Sequence, residues 1–135
     1  YVHTGSKVAV LIAISSDIPL AEGSMSKVQS LAKDLCMHIA ATSPVCVARD
    51  NVPSELVEKE KEIALAQAEG KPPQAIEKIV QGKLEKYFST SCLLEQPFVK
   101  DPDHAIKDLL SSLGKDLGAE LAVESFIRFQ VGENS

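Results

Sequence analysis

The stretch that decides the fold is residues 53–73, PSELVEKEKEIALAQAEGKPP, which predicts two helices joined by a sharp turn. Gly70 suits the left-handed backbone position that ends a first helix. Pro73 suits the first turn of a second helix, because the N–H group that proline lacks has no helical partner there. Helices joined by so short a connection lie side by side. We therefore expect an antiparallel helical hairpin, in the manner of a coiled coil, over residues 52–91.

The two helices of this hairpin carry apolar stripes of different width. The first helix is mostly charged, and its apolar positions Leu56 and Ile63 lie one heptad apart, which predicts a narrow seam. The second helix has a broad stripe that one thin partner helix cannot cover, so part of it should meet another surface. We predict a partner or dimerisation surface on the hairpin formed by Leu56, Ile63, Ile76, Ile79, Val80 and Leu84.

The rest of the chain predicts a mixed body into which the hairpin is inserted. A length of 135 residues with 44% hydrophobic content suits a single domain over 1–135, with a sheet–helix body at 1–51 and 92–135 and the hairpin at 52–91. Residues 7–14, rich in valine and isoleucine, predict a central strand buried on both faces. Residues 26–41 show helical periodicity, and residues 45–48 predict a short strand.

The segment after the hairpin predicts two strands and a helix. Residues 92–96 read as an edge strand, because Pro97 cannot donate to a sheet ladder. A helix is expected to begin at Asp103 as its N-cap and to end at Gly114. Residues 120–131 alternate and predict a half-solvated antiparallel strand, with one face formed by Leu121, Val123, Ile127, Phe129 and Val131. The predicted fold class is α+β: a small antiparallel sheet with packed helices and an inserted antiparallel helical hairpin.

Charge and hydropathy exclude several classes of function. The net charge is −5 and basic residues form no block, which argues against nucleic acids and anionic membranes as partners. The longest apolar run, residues 8–14, is far shorter than the roughly 20 residues that cross a bilayer, and it lacks the pattern of a signal peptide. We expect a soluble, unexported protein. Because the chain opens with Tyr1 and not methionine, we also expect it to be a piece of a longer protein.

The residues indicate no enzyme, no cofactor and no metal site. Glycine-rich phosphate loops and nucleophile elbows are absent from the sequence. Cys36 and His38 lie two positions apart on a predicted helix and so point about 200° away from each other, which is unsuitable for one ion. We interpret them as a core thiol and a histidine at the polar edge. We expect Cys46 and Cys92, like Cys36, to be small buried hydrophobic residues. We also expect the protein to work in a reducing compartment.

The chain resembles the C-terminal half of the bacterial-type translation elongation factor Ts family. The resemblance runs over nearly the whole chain and is carried by eight short motifs that occur in the family's order. They are Tyr1-Val2-His3 with Gly5 and the strand at 8–11, His38-Ile39-Ala40-Ala41, Val57-Glu58-Lys59-Glu60, Gly70-Lys71-Pro72, Glu77-Lys78-Ile79-Val80-Gln81-Gly82, Gln96-Pro97-Phe98-Val99, Phe126-Ile127-Arg128-Phe129 and Val131-Gly132-Glu133.

The resemblance implies a guanine-nucleotide exchange factor that binds elongation factor Tu and promotes release of GDP. It implies no covalent chemistry, no cofactor, and a location in the bacterial cytoplasm or in an organelle stroma or matrix. The family's histidine after the Tyr-x position corresponds to His3 and contacts the third domain of the partner. From the sequence alone, the preferred interpretation of His3 is an ordinary exposed histidine near a chain end. The family's inserted hairpin corresponds to residues 52–91 and is associated with homodimerisation.

The chain departs from the family in two respects. It does not contain the N-terminal helical module or the Thr-Asp-Phe motif, whose Asp and Phe wedge beside the partner's nucleotide site. The segments 15–24 and 115–124 look longer than in compact family members. The resemblance then implies that this chain supplies partner-binding and dimerisation surfaces. The alternative is a stand-alone helical-hairpin interaction module without exchange activity.

Overall fold

The computed structural model describes residues 1–132, and over this range the fold is α+β, as predicted. It contains four α-helices and two separate two-stranded antiparallel sheets, so the prediction of one small sheet is wrong. Glu133, the last residue of the motif at 131–133, lies outside the described residues. The elements are β1 (Val8–Ser16), α1 (Glu22–Thr42), α2 (Ser54–Gln67), α3 (Pro73–Ser91), β2 (Pro97–Phe98), β3 (Asp101–Ala105), α4 (Ile106–Leu117) and β4 (Leu121–Gln130), with single 3₁₀ turns at Arg49–Asn51 and Leu93–Glu95.

Strands β1 and β4 form a long antiparallel ribbon with a bulge in β4. Ala13 pairs with Ser125 and Ile14 pairs with Val123, so Glu124 is the extra residue. Because side chains alternate along a strand, one extra residue moves every later side chain to the opposite face. Val123 is therefore buried, whereas Ile127, Phe129 and Val131 point to solvent. The prediction that these residues share one face is wrong, since the alternation read from the sequence contains no bulge.

Strand β1 is covered on one face only. Val10 is buried against the core, whereas its neighbour Leu11 is exposed. Helix α1 packs on the inner face, and on the outer face Leu11 and Ala13 are exposed. The prediction of a strand buried on both faces is therefore wrong. A continuous apolar run does not distinguish burial on both faces from a strand with one exposed apolar face.

The hydrophobic core lies between α1, the β1–β4 ribbon and the segment that runs from the 3₁₀ turn at Leu93–Glu95 to α4. Its fully buried side chains come from elements far apart in sequence, which ties both halves of the chain around the hairpin. The core cluster consists of Val10, Leu35, Cys36, Ile39, Ala40, Leu93, Phe98, Ile106, Leu110 and Val123.

The helical hairpin follows the local signals of the sequence. Gly70 has a φ of +87° in the turn between α2 and α3, and Pro73 is the first residue of α3. The two helices contact each other, and Ala64 and Ala68 are buried. Pro53 lies one position before the first helical residue and forms the N-cap of α2. Coiled-coil packing of the pair, and the division into a body and a hairpin, stay predictions.

Several boundaries in the body differ from those predicted. Residues 45–48 form no strand beyond an isolated bridge between Cys46 and Cys92, and the residues after Cys92 form a 3₁₀ turn in place of an edge strand. Asp103 lies in β3, and α4 begins at Ile106. The N-cap of this helix is Ala105, whose N–H donates to Asp108 Oδ2 over 3.1 Å.

Helix α4 ends one turn later than predicted. Its C-cap is Gly118, with a φ of +66°, and not Gly114. Gly114 is needed for a different reason: a Cβ atom there would lie 2.6 Å from the carbonyl oxygen of Ala119. The segment 115–124 is thus the last turn of α4, its cap and the start of β4, and the segment 15–24 joins β1 to α1. None of the helices described here combines the length and apolar character needed to cross a bilayer.

Candidate functional site

His3 lies on a short edge segment that extends the β1–β4 ribbon. The N–H of His3 donates to the carbonyl oxygen of Val8 over 2.8 Å, and the N–H of Val10 donates to that of Tyr1 over 2.9 Å. The amino terminus also donates to the carbonyl oxygen of Val10 over 3.0 Å. Gly5, with a φ of +95°, permits the turn back into β1. The backbone of His3 is therefore fixed at the edge of the ribbon.

The imidazole of His3 is exposed but not isolated. Its Nδ1 lies 2.8 Å from the hydroxyl of Tyr1, and the two ring centroids are 6.0 Å apart. Tyr1 in turn packs against the core cluster. If the Tyr1 hydroxyl donates to Nδ1, then Nε2 of His3 carries the hydrogen, and within residues 1–132 this nitrogen has no hydrogen-bond partner. The arrangement presents a polar, partly oriented ring to a partner.

The outer face of the ribbon carries an exposed apolar surface, which we name the sheet patch. Leu11 and Ile127 are directly paired, and their side chains are 63% and 51% exposed. Phe129, at 57%, is exposed as well. Contiguous apolar surface of this kind marks protein contact sites more often than isolated exposed residues do. The sheet patch consists of Val2, Leu11, Ile127, Phe129 and Val131.

Sequence reasoning missed the sheet patch, although a signal was present. Both β1 and β4 carry apolar residues at successive positions, as in Phe126-Ile127, so neither strand shows a polar face over its whole length. When only one face of such a strand is covered, as in this fold, the apolar side chains on its other face are exposed. The sheet patch is continuous with His3 along the chain, because Val2 bridges to Ala9 at the ribbon edge.

The six predicted hairpin residues lie on α2 and α3, and none of them is fully buried. Leu56 and Ile63 on α2 are exposed, and Ile63 lines the cleft between the two helices. The four residues on α3 are partly buried, namely Ile76, Ile79, Val80 and Leu84. The hairpin therefore keeps apolar surface available to a partner.

Arg49 joins the hairpin to the body, and sequence reasoning did not identify it. Its Nε–H donates to both carboxylate oxygens of Glu95 over 2.8 Å, and its Nη1–H donates to Glu85 over 2.8 Å. The guanidinium also lies 4.8 Å from the centroid of the Phe88 ring. Hydrogen bonding to Arg49 lowers the pKa of Glu85. This pairing orients α3 relative to the turn at 93–95.

His38 is fully buried, so its assignment to the polar edge is wrong. The N–H of Val99 donates to Nδ1 over 3.2 Å, which leaves Nε2–H to donate to Gln96 Oε1 over 2.8 Å. Burial lowers the pKa of His38, and the hydrogen bond to Gln96 opposes that shift in part. His38 therefore stays neutral near pH 7 and holds α1 to residues 96–99. Within residues 1–132 no three histidine, cysteine or carboxylate side chains cluster as a metal site.

Comparison with known proteins places the chain in a family. The profile of the family described as Elongation factor TS matches residues 1–133. The chain is 44% identical over 135 residues to elongation factor Ts of Carboxydothermus hydrogenoformans, and the match covers 98% of the chain and 62% of that protein. Values for the same-named protein of Acetivibrio thermocellus are the same. For that of Thermodesulfovibrio yellowstonii, identity is 44% over 134 residues, covering 98% of the chain and 66% of the relative.

The chain thus spans less than two thirds of the length of these relatives. The match itself extends over both the body and the hairpin, with no part of the described structure left outside it. The motifs at Gln96-Pro97-Phe98-Val99 and Gly70-Lys71-Pro72 correspond to observed structural elements, the His38 contact and the hairpin turn. The chain therefore belongs to the elongation factor Ts family.

Proposed function

We propose that the chain is part of a guanine-nucleotide exchange factor for elongation factor Tu, acting in translation elongation to promote GDP release. The observation that carries this proposal is the family match over residues 1–133. The activity consists of binding, with no covalent step, no enzyme-type catalysis and no cofactor. The bacterial relatives favour the bacterial cytoplasm as its location, and an organelle stroma or matrix is the alternative that the resemblance leaves open.

Exchange by binding has a simple thermodynamic basis. A factor that binds nucleotide-free elongation factor Tu more tightly than the GDP-bound form must weaken GDP binding by the same ratio, because coupling between two sites is reciprocal. The factor then needs a surface that fits one state of the partner, and no reacting group. An exposed, backbone-fixed surface meets this requirement, since little freedom is lost when the partner binds.

We assign the contact with elongation factor Tu to His3 and the sheet patch together. Three hydrogen bonds to β1 hold the edge segment that carries His3. Val2, next to His3 in this segment, is part of the sheet patch. The apolar side chains supply buried area, and the imidazole supplies a directional hydrogen bond at its margin. Elongation factor Tu is favoured as the occupant because the family's partner-contacting histidine corresponds to His3.

The experiment is calorimetric titration of His3→Ala into nucleotide-free elongation factor Tu, with His104→Ala as the matched control. Both histidines are exposed and both have one side-chain neighbour, Tyr1 for His3 and Asp101 for His104. We expect His3→Ala to raise Kd about tenfold, equivalent to about 1.4 kcal/mol, and His104→Ala to leave it unchanged. Equal affinities for the two variants would remove His3 from the interface.

Phe129→Ser tests the patch in the same assay. We expect weaker binding of elongation factor Tu with no change in the mass of the free chain in solution. If Phe129→Ser instead changes the oligomeric state and leaves affinity for elongation factor Tu intact, then the patch is a contact between copies and our assignment is wrong. Circular dichroism should show that the variant is folded, which we expect because Phe129 is 57% exposed.

A second candidate function is self-association through the hairpin. The observation that favours it is the surplus of partly exposed apolar side chains on α2 and α3, including Leu56 and Ile63. Leu84→Glu should convert dimers into monomers in sedimentation, because it places a charge within the α3 stripe. Gln81→Glu, at an exposed position of the same helix, adds the same single negative charge and is the control. A Leu84→Glu protein that still sediments as a dimer would contradict this role.

A further inference from the structure

Two cysteines meet at the base of the hairpin. The Sγ atoms of Cys46 and Cys92 lie 3.7 Å apart, and both residues are buried. They are 46 positions apart in sequence, so they flank the whole of α2 and α3. Val52 completes the small apolar cluster around them. The third cysteine, Cys36, belongs to the separate core cluster of the body.

The backbone already holds this pair at a spacing that a disulfide can bridge. Cys46 and Cys92 are partners in an isolated parallel β-bridge. The N–H of Leu93 donates to the carbonyl oxygen of Cys46 over 2.9 Å, and the N–H of Val45 donates to that of Ser91 over 2.8 Å. Neighbouring strands lie roughly 4.8 Å apart, within the Cα separation of roughly 4.4–6.8 Å found across disulfides. Side-chain rotation can then bring the sulfurs to bonding distance.

The two thiols are not equivalent. The S–H of Cys46 donates to the carbonyl oxygen of Ala48 over 3.2 Å, which leaves the S–H of Cys92 to donate to Cys46 Sγ. Burial raises the pKa of both thiols, and that of Cys92 reaches about 12. The hydrogen bond from Cys92 partly opposes the shift at Cys46. Cys46 is also the more accessible of the two, so it is the thiol that ionises and reacts first.

We propose that Cys46 and Cys92 form an oxidisable dithiol, which a low-molecular-weight disulfide converts into an intramolecular disulfide at the base of the hairpin. In the first step the Cys46 thiolate attacks the small disulfide, forming a mixed disulfide and releasing one small thiol. In the second step the Cys92 sulfur attacks the Cys46 sulfur and expels the second small thiolate, which takes up the Cys92 proton and leaves as a thiol. Two protein thiols are oxidised, and one small disulfide is reduced to two thiols.

The cross-link would fix the joint between hairpin and body. It closes a loop that contains α2 and α3, and it lies beside Tyr87 and Phe88, which pack on the same cluster. Opening of the hairpin at its base would then require reduction of the bond. The oxidised chain is therefore expected to protect the amides of the bridge at 92–94 against hydrogen exchange more strongly than the reduced chain does.

The test incubates the reduced chain with oxidised glutathione in mildly alkaline buffer, both in the folded state and during refolding from urea. Refolding removes the barrier of burial, because every thiol is accessible before the fold forms. Free thiols are counted, and tryptic peptides are mapped without reduction. Of three free cysteines we expect two to be lost, with Cys46 linked to Cys92, and dithiothreitol should restore all three.

Three variants make the test specific. Cys36→Ser should still form the bond, and Cys46→Ser should keep both remaining thiols. Cys92→Ser should hold glutathione as a stable mixed disulfide on Cys46, because the resolving thiol is gone. The proposal is overturned if the wild-type chain keeps three thiols by both routes. It is equally overturned if Cys36 enters the disulfide, or if glutathione adds to all three cysteines alike.

Discussion

Gln96→Leu should destabilise the fold more than any exposed glutamine substitution, because Gln96 joins three parts of the chain. Its Oε1 accepts hydrogen bonds from His38 over 2.8 Å and from Thr42 over 3.0 Å. Its Nε2–H donates to the carbonyl oxygen of Thr90 over 2.8 Å. Leucine keeps the volume of the side chain but offers neither acceptor nor donor, so the effect isolates the hydrogen bonds.

The expected magnitude follows from which groups lose their partner. The Thr42 hydroxyl can still donate to the carbonyl oxygen of His38, and Thr90 is exposed, so its carbonyl can reach water. The Nε2–H of the fully buried His38 has no such substitute, and a buried unsatisfied donor costs about 1–3 kcal/mol. We expect a loss of about 2 kcal/mol. With an unfolding entropy of about 2.1 cal/mol/K per residue, this lowers Tm by about 7 °C for 135 residues.

The assay is thermal and urea unfolding of Gln96→Leu beside Gln29→Leu, the same change at an exposed position of α1. The double variant His38→Leu/Gln96→Leu should recover about 1 kcal/mol relative to the sum of the single variants, because the orphaned donor is removed with its partner. A Gln96→Leu protein within about 0.5 kcal/mol of Gln29→Leu would refute this reasoning.

Three other predictions concern stability. Burial lowers the pKa of His38 in the folded state. The free energy of unfolding that neutral His38 contributes is therefore complete above the unfolded pKa of about 6.5, and it falls as pH decreases, by up to about 1.4 kcal/mol per pH unit. Urea unfolding at several pH values should show that the free energy of unfolding of His38→Gln falls less steeply with decreasing pH than that of the unchanged chain. An equally steep fall would contradict a buried, neutral His38. Gly82→Ala should stabilise the chain by about 0.5–1 kcal/mol, because a Cβ there meets open space inside α3. Gly114→Ala should destabilise it by about 1–3 kcal/mol through contact with Ala119, and thermal unfolding showing the opposite order would be inconsistent with the packing of α4.

Features set by local chemistry could be predicted from the sequence. Gly70 and Pro73 act within a few residues of themselves, so the hairpin turn and the start of α3 followed from their backbone preferences. The α+β class followed from periodicity, and the family from the order of short motifs. All three cysteines are buried, as expected for small apolar side chains.

Features set by contacts between distant parts of the chain could not be predicted from the sequence. The bulge at Glu124 depends on the pairing of β4 with β1, and it decides that Phe129 faces solvent. The burial of His38 depends on Gln96, which is 58 positions away. Gly114 resembles a helix end in sequence, but the structure uses it for the close approach of Ala119. The sheet patch became visible only once the number of strands in the ribbon was known.

We propose that this chain carries a surface for elongation factor Tu that distinguishes the nucleotide-free from the GDP-bound partner. The direct measurement is calorimetric titration of the chain into both forms of elongation factor Tu. We predict binding to the nucleotide-free form and weaker binding to the GDP-bound form, because a factor that weakens GDP binding must itself bind the GDP-loaded partner less tightly. Equal affinity for the two forms would contradict a role in exchange, and absence of binding to either would contradict the assignment of His3 and the sheet patch.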